Sequence, residues 1–245
     1  MASALPLWDV PGWRERFGVV AGITGRGDDP TQPFDLGLSS RSPAGDVLGR
    51  WRLLREELGF ASQVVGHQVH GNRVAWHDGP SAGWTVLDAT DGHATRTRGC
   101  LLLVTAADCI PVYLIAPRQR AIALVHAGWR GTAAGIVARG LEVMHAVAGV
   151  VPADVVMHAG VGICGSCYEV GSEVQDALAQ VASGAGPWHV DLRAVLLEQG
   201  KLLGVGEATA SGLCTSCHRD RFFSHRRSRG SDGRMVAYLG YPAER

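Results

Sequence analysis

The chain has 245 residues, 46% apolar and 19% charged, enough for a sizeable buried core in one large domain or two small ones. Lys and Arg total 23, as do Asp and Glu, so the formal net charge is zero. That balance gives no general electrostatic reason to bind nucleic acid or an anionic membrane.

The first sixteen residues, MASALPLWDVPGWRER, hold Asp9, two prolines and two tryptophans where a signal's apolar core would lie, so no targeting segment is expected. FGVVAGIT (17–24) predicts a strand. Residues 25–46 are rich in Gly, Pro, Ser and Asp and predict a long loop. VLGRWRLLREELG (47–59) predicts a helix with Val47, Leu48, Trp51, Leu54 and Leu58 on one face and Gly59 as its stop. QVVGHQV (63–69) predicts a strand, and the polar stretch 78–98 a second loop. CLLLVT (100–105), IPVYLI (110–115) and AIALVH (121–126) follow as strands. The apolar run over 100–116 is broken by Asp108 and Pro111 and is too short for a membrane span.

Further on, TAAGIVARGLEVMHAVAG (132–149) predicts a helix capped by Thr132, with Ile136, Val137, Leu141, Met144 and Val147 at helical spacing. DVVMHAGVG (154–162) predicts a strand. SEVQDALAQVA (172–182) predicts a helix in which Ser172 and Gln175 form a capping box. A helix from Asp191 and a strand at RMVAYLG (234–240) complete the series. Strands and helices intermix with no break in composition, so residues 1–245 read as one α+β or α/β domain.

Six cysteines stand at 100, 109, 164, 167, 214 and 217. With no secretion signal, free thiols or metal ligands in a cytoplasmic protein are expected rather than disulfides. IPVYLI and AIALVH are joined by a short segment, which favours an antiparallel hairpin. A turn near Pro117 to Gln119 pairs positions whose numbers sum to about 236. Ile110 then faces His126, and Cys109 lies at the same open end. Asp108 precedes the cysteine. The GWRG after His126 leads into a helix, and its Arg130 suits an anion. HQVHG supplies His67 and His70. Two imidazoles and a thiol suit catalytic zinc, a blue-copper centre, or a Cys nucleophile with a His base, and spacing leaves the three open.

QVHGNRV, TAADCIPV, HAGWRG, CYEVG, LCT and FFSHRR occur here in the order found in the YfiH/YlmD-like (laccase-domain) family, which the chain resembles from about Gly18 to Tyr238. The resemblance implies an α/β/β/α sandwich with mixed sheets. It implies zinc on His70, Cys109 and His126, and so selects His70 over His67. It also implies phosphorolysis of adenosine, inosine and S-methyl-5′-thioadenosine, with adenosine deamination as a further activity and laccase chemistry as an older assignment. The chain departs from the family pattern at Asp35, where Asn is usual, at Arg50–Trp51, where Asn-Arg is common, and at Gly160–Val161, where Gly-Pro is common.

Copper oxidation is disfavoured because none of the ten histidines forms a His-x-His pair and no Met is near the three ligands in sequence. Zinc with an open position suits deamination, since the metal lowers the pKa of bound water, and Asp108 is the candidate proton shuttle or ligand-orienting carboxylate. Phosphorolysis needs cations for phosphate, and Arg130 and Arg26 are the candidates. A metal-dependent binding module using the basic segment 219–229 is the non-enzymatic alternative. Finally, Cys164-x-x-Cys167 and Cys214-x-x-Cys217 together have the pattern of a four-thiolate zinc site, although 46 residues separate the pairs.

Overall fold

A computed structural model describes residues 5–38, 42–79, 82–178 and 186–244. Its strands are β1 (Leu7–Asp9), β2 (Val20–Thr24), β3 (Ser62–Gly66), β4 (Val74–His77), β5 (Gly83–Leu87), β6 (Gly92–Thr95), β7 (Cys100–Ala106), β8 (Ile110–Ala116), β9 (Ala121–Ala127), β10 (Val156–Ala159), β11 (Glu169–Val170), β12 (Trp188–His189), β13 (Glu207–Ala210) and β14 (Met235–Gly240). Its helices are α1 (Trp13–Phe17), α2 (Ala44–Glu57), α3 (Trp129–Ala133), α4 (Ile136–Ala148), α5 (Ser172–Ala177), α6 (Leu192–Leu202) and α7 (His225–Ser228).

Two six-stranded mixed sheets result, ordered β1-β2-β14-β7-β3-β5 and β13-β10-β8-β9-β6-β4. The central strands are apolar on both faces, so each sheet must be covered twice. Side-chain alternation shows how. Tyr113, Ile115, Ile122 and Leu124 of the second sheet pack with Leu102, Val104, Ala237 and Leu239 of the first. Val112, Leu114, Ala123 and Val125 point the other way, onto α4 and α6 through Ile136, Leu141, Met144 and Leu196. Leu101, Leu103, Val236 and Tyr238 cover the far face of the first sheet with Val47, Trp51 and Leu54 of α2. The order of layers is therefore helix, sheet, sheet, helix, as the resemblance implies. No helix among the described residues is long and apolar enough to cross a membrane.

All seven strands predicted from the sequence form. The stretch 78–98 is not simply a loop: it contains β5 and β6. The latter, Gly-His-Ala-Thr, is wholly buried yet shows no apolar periodicity. A Cβ on Gly92 would meet Val125 Cγ1 at 2.7 Å, so only glycine lets β6 lie against β9 at that point. The helix expected over 132–149 is two helices, because Gly135 takes a left-handed φ of 73° between them and Thr132 is buried inside α3 rather than capping. Leu48 is 47% exposed, since the buried face of α2 follows Val47, Trp51 and Leu54, and Val147 at the end of α4 is also exposed. Gly171, not Ser172, caps α5, and residues 179–182 lie outside the described set. Asp191 caps α6 as expected, accepting from the amides of Arg193 and Ala194. At the family departure Arg50–Trp51, the indole is fully buried and donates to the Leu36 carbonyl, while Arg50 donates to the Asp35 carbonyl.

Candidate active site

β8 and β9 form the expected hairpin, with a register one residue off the prediction. Ile110 faces Ala127 and Pro111 faces His126, because the turn spans the four residues between Ala116 and Ala121. Arg120 adopts a φ of 52° to close it. Cys109 sits just before β8 and His126 is the penultimate residue of β9, so the hairpin brings both to its open end.

His70 reaches the same place from the loop after β3. One donor atom from each of His70, Cys109 and His126 lies within 4.8 Å of the others. The two imidazole rings are 5.0 Å apart at their centroids and nearly perpendicular. His126 is buried, Cys109 half-buried and His70 exposed, so the cluster opens to solvent on one side. His67 lies apart, on the surface, with Nδ1 3.0 Å from Asp88 Oδ1.

The residue that organises the cluster is Asp91, immediately before β6 and fully buried. Its carboxylate accepts the amides of Val69, His70 and Gly71 at 3.1, 2.9 and 3.0 Å. Its Oδ1 is also 3.0 Å from His126 Nδ1, and its carbonyl accepts the His126 amide at 2.7 Å. One carboxylate thus fixes the loop carrying His70 and the ring of His126. His70 has a φ of 60°, a conformation disfavoured for any residue with a Cβ, and the Asp91 contacts over-determine it. Gln68 anchors the same loop to Thr105 at the end of β7 through three hydrogen bonds. Sequence reading missed Asp91 because it stands in a polar stretch taken as a loop.

Electrostatics follow from this packing. Burial works to raise the Cys109 thiol, but the His126 and His70 rings outweigh it and bring it down to about 6. Burial works to lower His126, but Cys109 and Asp91 raise it to about 9. Burial likewise opposes the Asp91 charge, yet the His126 ring and the Val69 and Gly71 amides hold its carboxyl below the usual range. Between those two values the balance favours a Cys109 thiolate beside a protonated His126 in the metal-free protein.

The donor set fits a soft or borderline metal: one thiolate and two imidazoles. Asp91 occupies His126 Nδ1, leaving Nε2 for a metal, the usual arrangement in which a carboxylate orients a ligating histidine. Gly128 faces the cluster, and a Cβ there would meet Cys109 Sγ at 3.0 Å and His70 Cδ2 at 3.1 Å, so the space beside the donors depends on glycine.

Asp108 does not touch either histidine ring through any hydrogen bond of the described residues. It adopts a φ of 89° and its carboxylate accepts from Thr215 Oγ1 at 2.5 Å and from the Arg226 amide at 2.6 Å. Tyr168 feels the same charges: its phenol is pushed up to about 12 by burial, Cys109 and Asp108, against the opposing pull of Arg226 and Arg130. The Arg226 guanidinium lies 5.0 Å from the Tyr168 ring and donates to the Glu169 carbonyl. Arg130 stacks 4.0 Å from the Trp129 ring and pairs with Glu173 at 3.3 Å, both members exposed. Arg26 is elsewhere. It donates to the Arg219 carbonyl, lies over Phe223, and lines a cavity of about 290 Å³ with Asp35 and Arg234, to which none of the three donor residues contributes. Tyr168, Thr215 and Arg226 are further candidate site residues; CYEVG, LCT and FFSHRR contain them, but the motifs alone assigned them no role.

A thiolate–imidazole cluster at the hairpin mouth of a two-sheet sandwich defines a class, and sequence comparison identifies it. The family described as multi-copper polyphenol oxidoreductase laccase matches residues 16–241, and the chain belongs to that family. It is 34% identical to the purine nucleoside phosphorylase YlmD of Geobacillus stearothermophilus, over 91% of this chain and 90% of that protein. It is also 34% identical to a purine nucleoside phosphorylase of Deinococcus radiodurans, over 98% and 95%. The crystal structure of YlmD from G. stearothermophilus superposes with a TM-score of 0.89 at 30% identity, covering 99% of this chain and 98% of that one. The YfiH protein of Bacillus licheniformis gives the same TM-score at 29% identity, covering 98% of both chains.

Proposed function

We propose that the protein is a cytoplasmic, zinc-dependent purine nucleoside phosphorylase formed by one domain, acting on adenosine, inosine and S-methyl-5′-thioadenosine. The observation that carries the reading is the convergence of His70, Cys109 and His126 with Tyr168, Arg226 and Arg130 at one open end of the sandwich. The relatives named purine nucleoside phosphorylase support it. Six unpaired cysteines suit a reducing compartment.

His70, Cys109 and His126 would hold the metal, which when bound supplies Lewis-acid polarisation of a substrate oxygen. Zinc suits the donors better than a blue-copper centre, because Met144, Met157 and Met235 all belong to the core layers and none offers an axial sulfur. Phosphate attacks C1′ of the ribose as the bond to the base nitrogen breaks; the base leaves with the electron pair and takes up a proton. Arg130 and Arg226 bind the phosphate anion at the rim. Tyr168 keeps its proton at neutral pH and donates its hydroxyl to a substrate acceptor. Asp108, tied to Thr215 and Arg226, positions Cys109 and holds Arg226 in place. Adenosine deamination at the same metal is the companion activity, for which Asp108 is the proton-carrying candidate.

A second reading has its own observation. The Cys109 thiolate beside a cationic His126 is the arrangement of a Cys–His hydrolase. Product analysis of adenosine turnover with and without phosphate tests the first reading. Free adenine with ribose 1-phosphate, formed only when phosphate is present, is expected. Equal release of adenine in phosphate-free buffer overturns phosphorolysis, and ammonia release reports deamination separately.

A further inference from the structure

The two Cys-x-x-Cys segments, 47 residues apart from Cys167 to Cys214, meet in space. Gly162 pairs with Cys214 in an isolated parallel bridge, and the Thr215 amide donates to the Gly162 carbonyl at 3.1 Å. These contacts lay the turn Cys164–Cys167 against the turn Cys214–Cys217. All four sulfurs then fall within 4.8 Å of one another. Cys167 Sγ is 3.5 Å and Cys164 Sγ 3.9 Å from Cys217 Sγ.

Those separations discriminate between two chemistries. Disulfide sulfurs stand about 2.05 Å apart. Four sulfurs at about 2.3 Å around a tetrahedral zinc stand about 3.8 Å from one another. The observed spacing is that of ligands sharing an ion. The backbone has the matching polarity: the amides of Cys164 and Cys217 both donate to Cys214 Sγ, at 3.2 and 3.5 Å, as suits a thiolate. The Cys214–Cys217 turn is also held without any ion. Arg193 donates to the carbonyls of Ser211 and Leu213, and Arg227 to those of Thr215 and Ser216.

We propose that Cys164, Cys167, Cys214 and Cys217 bind a structural zinc ion, separate from the site at His70, Cys109 and His126. All four positions are filled by protein thiolates, so this ion performs no chemistry; it fastens one turn to the other. Thr215, between two of the ligands, donates to Asp108 next to Cys109, and Tyr168 directly follows Cys167. The ion thereby fixes two walls of the candidate active site. The proposal stands whether or not that site performs phosphorolysis.

The test is metal content of the full-length protein, purified under reducing conditions, with cobalt as a spectroscopic substitute. The wild type is expected to hold two equivalents of zinc. Cys217→Ser, at an exposed position, should hold one, and His70→Ala should also hold one. Cobalt-loaded His70→Ala should show the strong thiolate-to-cobalt charge transfer of a four-sulfur tetrahedral site. Should Cys217→Ser fail to fold, the His70→Ala protein decides alone. A wild type with one equivalent that His70→Ala removes overturns the proposal, as does a disulfide among the four cysteines in the reduced protein.

Discussion

Asp91 Oδ1 lies 3.0 Å from His126 Nδ1 while the same carboxylate accepts the amide of His70. One buried group therefore sets two of the three candidate metal donors, from two separate segments of the chain. Asp91→Asn keeps the shape but cannot accept at every contact and offers a weaker acceptor to His126. Zinc affinity at this site is expected to fall about 10–100-fold, the usual cost of losing a carboxylate partner of a ligating histidine. Competition with a chelator measures it. Unchanged affinity in Asp91→Asn would remove the organising role assigned here.

The metal-free protein should reveal the Cys109 thiolate directly. The folded thiol is lowered to about 6, so the thiolate is present above that pH and lost below it. Alkylation of Cys109 by a neutral reagent should rise through about pH 6, mapped by peptide mass. Cys100, buried and pushed up to about 12, should stay unreacted across the same range. His126→Ala removes the main charge opposing burial and should move the Cys109 midpoint upward. A wild-type midpoint near the ordinary thiol value of about 8.5 would contradict the pairing.

Much of the site was legible because it lies in strands with a clear pattern. The apolar runs of β8 and β9 and the short link between them placed Cys109 near His126 to within one residue of register. The register slip came from the length of the turn, which residue type alone does not set. His70 against His67 was decided by resemblance, since both stand in the short loop that follows β3. Asp91 was illegible for a physical reason: it leads into β6, a strand of small and polar residues whose burial depends on the neighbouring strands, not on their own hydrophobicity. Tyr168 and Arg226 come from distant segments that converge only through the tertiary fold. The layer order was implied by the resemblance, and in the structure it rests on the two-faced apolar strands β7, β8, β9 and β14.

Gly128→Ala tests the space beside the donors. The added methyl meets Cys109 Sγ and His70 Cδ2 at about the closest approach atoms tolerate. Overpacking of this kind costs about 1–3 kcal/mol where the neighbours cannot yield. Lower metal occupancy with unchanged circular dichroism is expected. Full occupancy and full turnover would show that the pocket has room to spare.

Arg130→Ala and Arg226→Ala should weaken phosphate use. A charge-assisted hydrogen bond contributes about 1.5–3 kcal/mol, so the KM for phosphate should rise roughly 10- to 150-fold in each. Arg26→Ala, in its separate cavity, should leave that KM within about twofold of the wild type. Initial rates against phosphate concentration give all three values. A large effect at Arg26 with none at Arg130 would reverse the assignment.

Zinc-dependent turnover at His70, Cys109 and His126 is the centre of the account, and metal stripping followed by add-back tests it most directly. Ribose 1-phosphate formation from adenosine and phosphate is followed on protein from which metal has been removed, then on the same protein given zinc or copper. Loss of product on stripping, return with zinc and no return with copper is the predicted result. Cys109→Asp should retain part of both zinc and activity, because a carboxylate can replace the thiolate as a donor. Full activity after complete metal removal, with a substrate adduct on Cys109 in the intact mass, would instead make Cys109 the nucleophile and contradict the metal reading.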